Sequence, residues 1–311
     1  MQGTVVKSTG SWYWVRTEDG EYHESRIRGK FRIQGIKSTN PIAVGDQVVL
    51  SKEGDDNIIT DILDRKNYII RKSVNLSKQV HIIASNIDQA FLIVTLASPA
   101  TSVGFIDRFL VTAEAYQIPT ILVFNKVDLY DEFDREYHDE IVEMYTEAGY
   151  ECLEVSAINN LNVHLLIEKM KDKVTLLSGH SGVGKSTLVN SIDPDLDLFT
   201  QEVSDAHQKG MHTTTFAEMF ELDFGGFIID TPGIKGFGLV DVEENELADY
   251  FPEMRALKGQ CKFHNCKHVN EPKCAVKTAV ELDHIHPVRY DSYLAMLEDD
   301  GNQYREFKYH K

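Results

Sequence analysis

The chain has 311 residues, is 42% apolar and carries a formal net charge of −17. That length predicts two or three domains with full cores, and the acidic balance excludes a body that binds nucleic acid over its whole surface, leaving only local basic patches for such contact. Four cysteines are too few for a disulfide framework, the N-terminal MQGTVVKSTGSWYWV lacks the pattern of a secretory signal, and the longest apolar run, about Ala90–Ala97, falls far short of the ~20 residues of a membrane span. A soluble, cytoplasmic protein with no membrane contact is expected.

Residues 1–68 alternate apolar and polar positions between turn signals such as Asp19-Gly20 and Gly45-Asp46. Short strands at this spacing predict a small barrel or sandwich. Residues 26–37 hold Arg26, Arg28, Lys30, Arg32 and Lys37 with no acid. With Trp12, Tyr13, Trp14 and Phe31 nearby, they suggest a stacking and phosphate-tracking surface for RNA. Lysines and arginines guarding strand edges would leave the same pattern.

From about residue 72 to 238 short apolar runs appear at Phe91–Val94, Ile121–Phe124, Cys152–Val155, Val174–Leu177 and Phe227–Ile229, separated by helical stretches. This pattern predicts an α/β domain with a parallel sheet. Asn125-Lys126-Val127-Asp128 follows the second run, at the carboxyl end of a strand, where open α/β sheets bind ligands. An N-K-x-D segment there reads guanine. The Asp128 carboxylate accepts from both N1–H and the exocyclic amine, a bidentate contact worth ~1–3 kcal/mol. Lys126 can lie along the base, and Asn125 can tie this loop to a phosphate loop. Ser156-Ala157, after the third run, is placed to offer a backbone N–H to guanine O6.

Gly179-His180-Ser181-Gly182-Val183-Gly184-Lys185-Ser186 matches G-x-x-x-x-G-K-[ST] between a strand and a helix opening at Thr187. Its glycines let backbone N–H groups turn toward phosphates at a helix N-terminus. Lys185 is expected on the β- and γ-phosphates and Ser186 on magnesium. Asp230-Thr231-Pro232-Gly233 after the fifth run has the form D-x-x-G. Asp230 would hold Mg²⁺ through water and the Gly233 N–H would sense the γ-phosphate. In Met211-His212-Thr213-Thr214-Thr215 one threonine is expected to complete the magnesium shell, with Thr214 favoured over Thr213 and Thr215. Ile234 stands where Ras-like GTPases keep a water-orienting Gln. His212 is the candidate replacement, although a plain loop histidine fits the sequence nearly as well.

After about residue 239 the strand pattern stops, and Leu247, Tyr250, Phe251, Met254 and then Tyr290, Tyr293, Leu294, Leu297 recur at helical spacing. Between them Cys261, Cys266, His268 and Cys274 form a Cys₃His set for one structural zinc, with His264 as a competing ligand. Residues 255–277 carry six basic side chains, Lys262 and Lys267 among them, against the single acid Glu271. They form a second candidate RNA surface.

In an ordinary GTPase the phosphate loop comes first. Here N-K-V-D and S-A precede it, as in a circular permutation that leaves D-x-x-G at the domain's end. With Gly210-x-His212-Thr213-Thr214-Thr215, Asp230-Thr231-Pro232-Gly233 and the cysteine–histidine spacing, the chain resembles the circularly permuted ribosome-small-subunit-dependent GTPase A family over nearly its whole length. The resemblance implies an OB-fold over 1–68, a permuted P-loop GTPase domain over 72–238 and a mostly α zinc domain over 239–311. It also implies a GTPase that takes GTP and GDP, binds the 30S subunit and its 16S rRNA, acts in late maturation, and is stimulated by that subunit. Met211 departs from the basic residue frequent there. A monomer is expected.

Overall fold

The computed structural model describes residues 1–27, 41–72, 80–196, 217–230 and 242–298. Among the described residues five strands build the N-terminal unit: β1 (Gln2–Ser8), β2 (Tyr13–Thr17), β3 (Tyr22–Ile27), β4 (Gln47–Glu53) and β5 (Asp56–Ile62). Their order is β1-β2-β3-β5-β4, and β4 returns to pair with β1, so the sheet closes into an OB-like barrel. The β3–β5 pairing is parallel and the others are antiparallel. Alternation sends Val5, Tyr13, Val15, Val48, Leu50 and Ile59 inward to form the barrel core.

That same alternation corrects part of the expected stacking surface. Tyr13 is only 1% exposed inside the barrel. Trp14 points the other way and packs, half-buried, against the core of the central domain. Trp12, just outside β2, lies under the Arg26 guanidinium at 4.6 Å.

A hairpin absent from the sequence reading, β6 (Tyr68–Lys72) with β7 (Val80–Ser85), connects the barrel to the next domain. It straddles the point where the hydrophobic pattern changes. The apolar stretch of each strand is too short to stand out as a strand.

The central sheet runs β10 (Glu151–Glu154), β9 (Thr120–Phe124), β8 (Gln89–Val94), β11 (Val174–Ser178), β13 (Phe227–Asp230) and β12 (Glu218–Glu221). All its pairings are parallel except β12 with β13. Each expected apolar run coincides with a strand to within two residues. Leu92 and Val94 face one core, with Ile106, Phe109 and Leu110 of α1 (Val103–Ala115) and Ile141, Met144 and Tyr145 of α2 (Glu132–Glu147). Phe91 and Ile93 face the other, with α3 (Val163–Met170) and α4 (Lys185–Ile192). A strand buried on both faces must be apolar at every position, which is why β8 and β9 read as continuous runs.

Barrel and central sheet are one hydrogen-bonded surface, joined where Lys7 of β1 pairs with Glu218 of β12. The join carries a Lys7–Glu218 ion pair at 2.8 Å and a bidentate Arg16–Glu221 pair at 2.7 and 2.6 Å.

Among the described residues no strand follows Asp230. The described part of the C-terminal region packs α5 (Pro252–Arg255), α6 (Ala275–Glu281) and α7 (Pro287–Leu297) around Phe251, Met254, Val276 and Tyr293, with Val111 of α1 in the same core. Arg289 of α7 locks it to the central domain. Its guanidinium donates to Asp107 of α1 and to both Glu253 carboxylate oxygens, and lies 4.7 Å from the Phe251 ring. Tyr145 donates to the same Asp107 oxygen at 2.8 Å. Arg289 and Asp107 are 1% and 0% exposed. Burial pushes the Asp107 carboxyl upward and the guanidinium pulls it back. Removing the cation would strand two carboxylates out of water. Arg289→Ala is therefore expected to cost about 3–5 kcal/mol in urea unfolding; a loss under about 1 kcal/mol would show that the lock carries no such weight.

Candidate nucleotide site and metal centre

The phosphate-loop segment leaves β11 at Gly179 and enters α4 at Lys185, with Gly184 as the helix cap at φ +90°. Two of the loop's glycines, Gly179 and Gly184, leave no room for a side chain. A Cβ on Gly179 would stand 2.5 Å from the Ile93 carbonyl oxygen, and one on Gly184 2.6 Å from the Asn125 amide nitrogen. Lys185 folds back over the loop and donates from Nζ to the carbonyls of Gly179 at 2.6 Å and His180 at 2.8 Å. Val183 is buried under the loop, while Ser181, Gly182 and Thr187 are exposed and Ser186 is half-buried in the first turn of α4. The His180 ring packs 3.7 Å from that of Phe105 on α1. Burial, aided by Lys185, lowers its basicity.

Asn125 leaves the end of β9 almost fully buried, at 1% exposure. Its Nδ2 donates to the Val183 carbonyl at 2.9 Å, and its Oδ1 accepts from the Ala157 N–H at 3.3 Å. One amide thus touches the phosphate-loop segment and the Ser156-Ala157 segment at once. Lys126, at φ +65°, extends its Nζ to the carbonyls of Gly182 and Ser98, both at 2.7 Å. Val127 is buried and Asp128 exposed in a single 3₁₀ turn, Val127–Leu129. Ser156 is fully buried and its Oγ accepts from the Asn159 N–H at 3.2 Å. The segment from Ser98 to Phe105, which carried no sequence motif, forms a wall of the site through Lys126, Phe105 and Pro99 over Gly182.

Asp230 ends β13 in register with Leu177 of β11, so its backbone lies one strand away from the phosphate-loop exit. Met211, His212, Thr213, Thr214 and Thr215, and Thr231, Pro232, Gly233 and Ile234, lie outside the described residues.

The metal-type cluster is assembled. The ligand atoms of Cys261, Cys266, His268 and Cys274 all lie within 4.8 Å of one another. Cys261 Sγ is 3.9 Å from Cys274 Sγ and 3.6 Å from His268 Nδ1, which is 3.3 Å from Cys274 Sγ. A tetrahedron with Zn–S bonds of about 2.3 Å has S–S edges of about 3.8 Å and slightly shorter N–S edges, so the donors fit one zinc. The competing ligand, His264, is exposed and outside the set. Backbone N–H groups of Ala275 and Lys277 donate to the Cys261 and Cys274 sulfurs. Tyr290 and Tyr293 of α7 hold the carbonyls of His268 and Lys267; helical spacing marked both only as core residues. Burial pushes the Cys266 thiol up to about 12, and a bound divalent cation reverses that preference.

Of the basic positions, Arg26 pairs with Asp56, Lys267 with Glu244, and Lys262 lies over the Phe263 ring at 5.1 Å. Arg28, Lys30, Phe31, Arg32 and Lys37 lie outside the described residues.

Comparison with known proteins adds an independent finding. The RsgA GTPase family model matches residues 62–240, and the RsgA N-terminal domain model matches 2–59. The small ribosomal subunit biogenesis GTPase RsgA of Christiangramia forsetii is 58% identical, with 100% of both chains covered. That of Phocaeicola vulgatus is 56% identical over 98% of this chain and 99% of its own. The crystal structure of YjeQ from Thermotoga maritima is similar at TM-score 0.77 and 37% identity, covering 95% of this chain and 96% of that one. The crystal structure of YloQ, a circularly permuted GTPase, is similar at TM-score 0.76 and 32% identity, over 98% and 96%.

Metal analysis of the purified protein is expected to give about one zinc per chain. Cys274→Ala should abolish it, with loss of the α6–α7 helical signal on chelation. A full equivalent retained by the variant would rule out this donor set.

Proposed function

The chain belongs to the RsgA GTPase family, and from that premise we propose that it binds GTP, hydrolyses it to GDP and phosphate, and acts in biogenesis of the small ribosomal subunit. The observation that carries the reading is the Asn125 amide, which joins a phosphate-loop segment to two loops of guanine-reading type.

In this reading the nucleotide lies across the carboxyl ends of β9, β10 and β11. Lys185, whose Nζ now rests on two loop carbonyls, swings to the β- and γ-phosphates, exchanging neutral partners for charged ones. Backbone N–H groups from Gly179 to Thr187 cradle the phosphates. Asp128 accepts the two guanine donors, Lys126 walls the base, and the Ala157 region meets O6. The Ser186 hydroxyl, the Asp230 carboxylate and a threonine, Thr214 in preference to its neighbours, are hard oxygen donors of the kind magnesium takes. Magnesium bound with GTP neutralises charge developing on the β- and γ-phosphates. Gly233 senses the γ-phosphate, and His212 orients the attacking water in place of the side chain that Ile234 lacks. The barrel over 1–68 and the zinc-binding region over 239–311 meet ribosomal RNA through Trp12, Arg26, Lys262, Lys267 and the basic residues between 28 and 37. Residues 72–238 form the GTPase unit.

Fluorescent GDP should be displaced by GTP and GDP but not by ATP; displacement by ATP at equal concentration would remove the guanine assignment. Single-turnover hydrolysis should accelerate when small ribosomal subunits are added, and His212→Ala should reduce the stimulated rate on the order of 100-fold at unchanged GDP affinity. An unchanged stimulated rate excludes His212 from the chemistry.

A further inference from the structure

Asp128 can distinguish guanine only if its carboxylate stands in one place, because two parallel hydrogen bonds tolerate little displacement. Yet Asp128 is exposed in a one-turn 3₁₀ helix, and among the described residues no side chain holds its carboxylate. The turn carries its own backbone bonds, Leu129 N–H to the Lys126 carbonyl and Val127 N–H to the Val155 carbonyl, and Arg135, one turn into α2, braces it from outside. Its Nη2 donates to the Val127 carbonyl at 2.7 Å, one residue before Asp128. Its guanidinium lies 5.4 Å from the ring centre of Tyr130, two residues after. Its Nη1 is 3.5 Å from Glu154 Oε2 at the end of β10, two residues before Ser156. One planar cation therefore brackets the Asp128 turn on both sides and ties it to the second base-reading segment.

The scaffold behind Arg135 is anchored by a helix cap and by ring packing. Asp131 and Asp134 form a reciprocal capping box that sets the first turn of α2. His138, one turn further and 1% exposed, packs edge-on against Phe124 at 5.1 Å and beside Tyr130 at 5.5 Å. Phe124 immediately precedes Asn125. A guanidinium can do all three jobs because it offers several donors in one plane and a flat face for a ring.

We infer that Arg135 is a positioning residue for base specificity: it holds the Val127–Tyr130 turn so that Asp128 meets both the N1–H and the exocyclic amine of guanine. This rests on the guanine-reading assignment above. Arg135 does not touch the nucleotide; it acts through the Val127 carbonyl and the Tyr130 ring.

The test compares GDP with IDP, which lacks the exocyclic amine and so reports one of the two bonds. Wild type should bind GDP more tightly than IDP. In Arg135→Met the GDP-to-IDP affinity ratio should fall about 3- to 10-fold, because a displaced carboxylate gains little from the second donor. Arg135→Lys keeps a donor for Val127 but not the flat face, and its ratio should lie between the two. The Arg135 side chain is 47% exposed, so the variants should fold, and thermal midpoints check this. A ratio unchanged in Arg135→Met, including one where both affinities fall in equal proportion, overturns the inference. Failure of wild type to discriminate GDP from IDP defeats the guanine assignment itself and this inference with it.

Discussion

The site depends on the one buried amide of Asn125. A primary amide donates and accepts in the same plane, and here both capacities are used across the sequence, toward Val183 and Ala157. Such a group, 1% exposed, cannot be replaced without leaving a buried backbone partner unsatisfied, which costs about 1–3 kcal/mol. The close approach it needs explains the lack of a side chain at residue 184, where a Cβ would collide with the amide nitrogen. The phosphate-loop segment and the N-K-V-D segment are thereby held in one frame, although 58 residues separate Asn125 from Val183.

The second constraint is electrostatic. Arg289, surrounded by Asp107, Glu253, Phe251 and Tyr145, joins the C-terminal region to α1 through a buried ion pair. Helix α1 also carries Phe105, which lies against His180 of the phosphate loop. A single helix thus touches the zinc-bearing region and the nucleotide site. The barrel reaches the same domain differently, through strand pairing at Lys7 and Glu218. Both flanking units are fastened to the central sheet, one through its edge strand and one through a helix on its face. In the permuted order Asp230, at the end of β13, precedes the C-terminal region in sequence.

The Cys/His cluster and the candidate nucleotide site stood out in the sequence for different reasons. Cys261, Cys266, His268 and Cys274 stand close in sequence and are of a rare residue type, so spacing alone announced them. Asn125, Lys126 and Asp128 stood out as candidates because they followed an apolar run that had to be a buried strand. Arg135 and Phe105 left no such mark. Arg135 is an ordinary charge on an acidic helix until α2 is seen to pass beneath the Val127 turn, and Phe105 is one more apolar residue on the helical period. Trp14 and Tyr13 show the converse: aromatic side chains in an exposed-looking strand become interface and core once the barrel closes.

Taken alone, the sequence determined the local grammar: which runs are strands, which glycine loop has the phosphate-loop form, which cysteines can share a metal, and that the motifs occur in permuted order. These follow from periodicity and spacing, properties carried by a few neighbouring residues. Only the tertiary structure decided which carbonyls Lys185, Lys126 and Arg135 reach, that β6 and β7 form a connecting hairpin, and that the C-terminal region is locked through Arg289. Each of those depends on groups far apart in the chain being brought to hydrogen-bond distance. The direction and range of a single polar contact leave no periodic trace in a sequence.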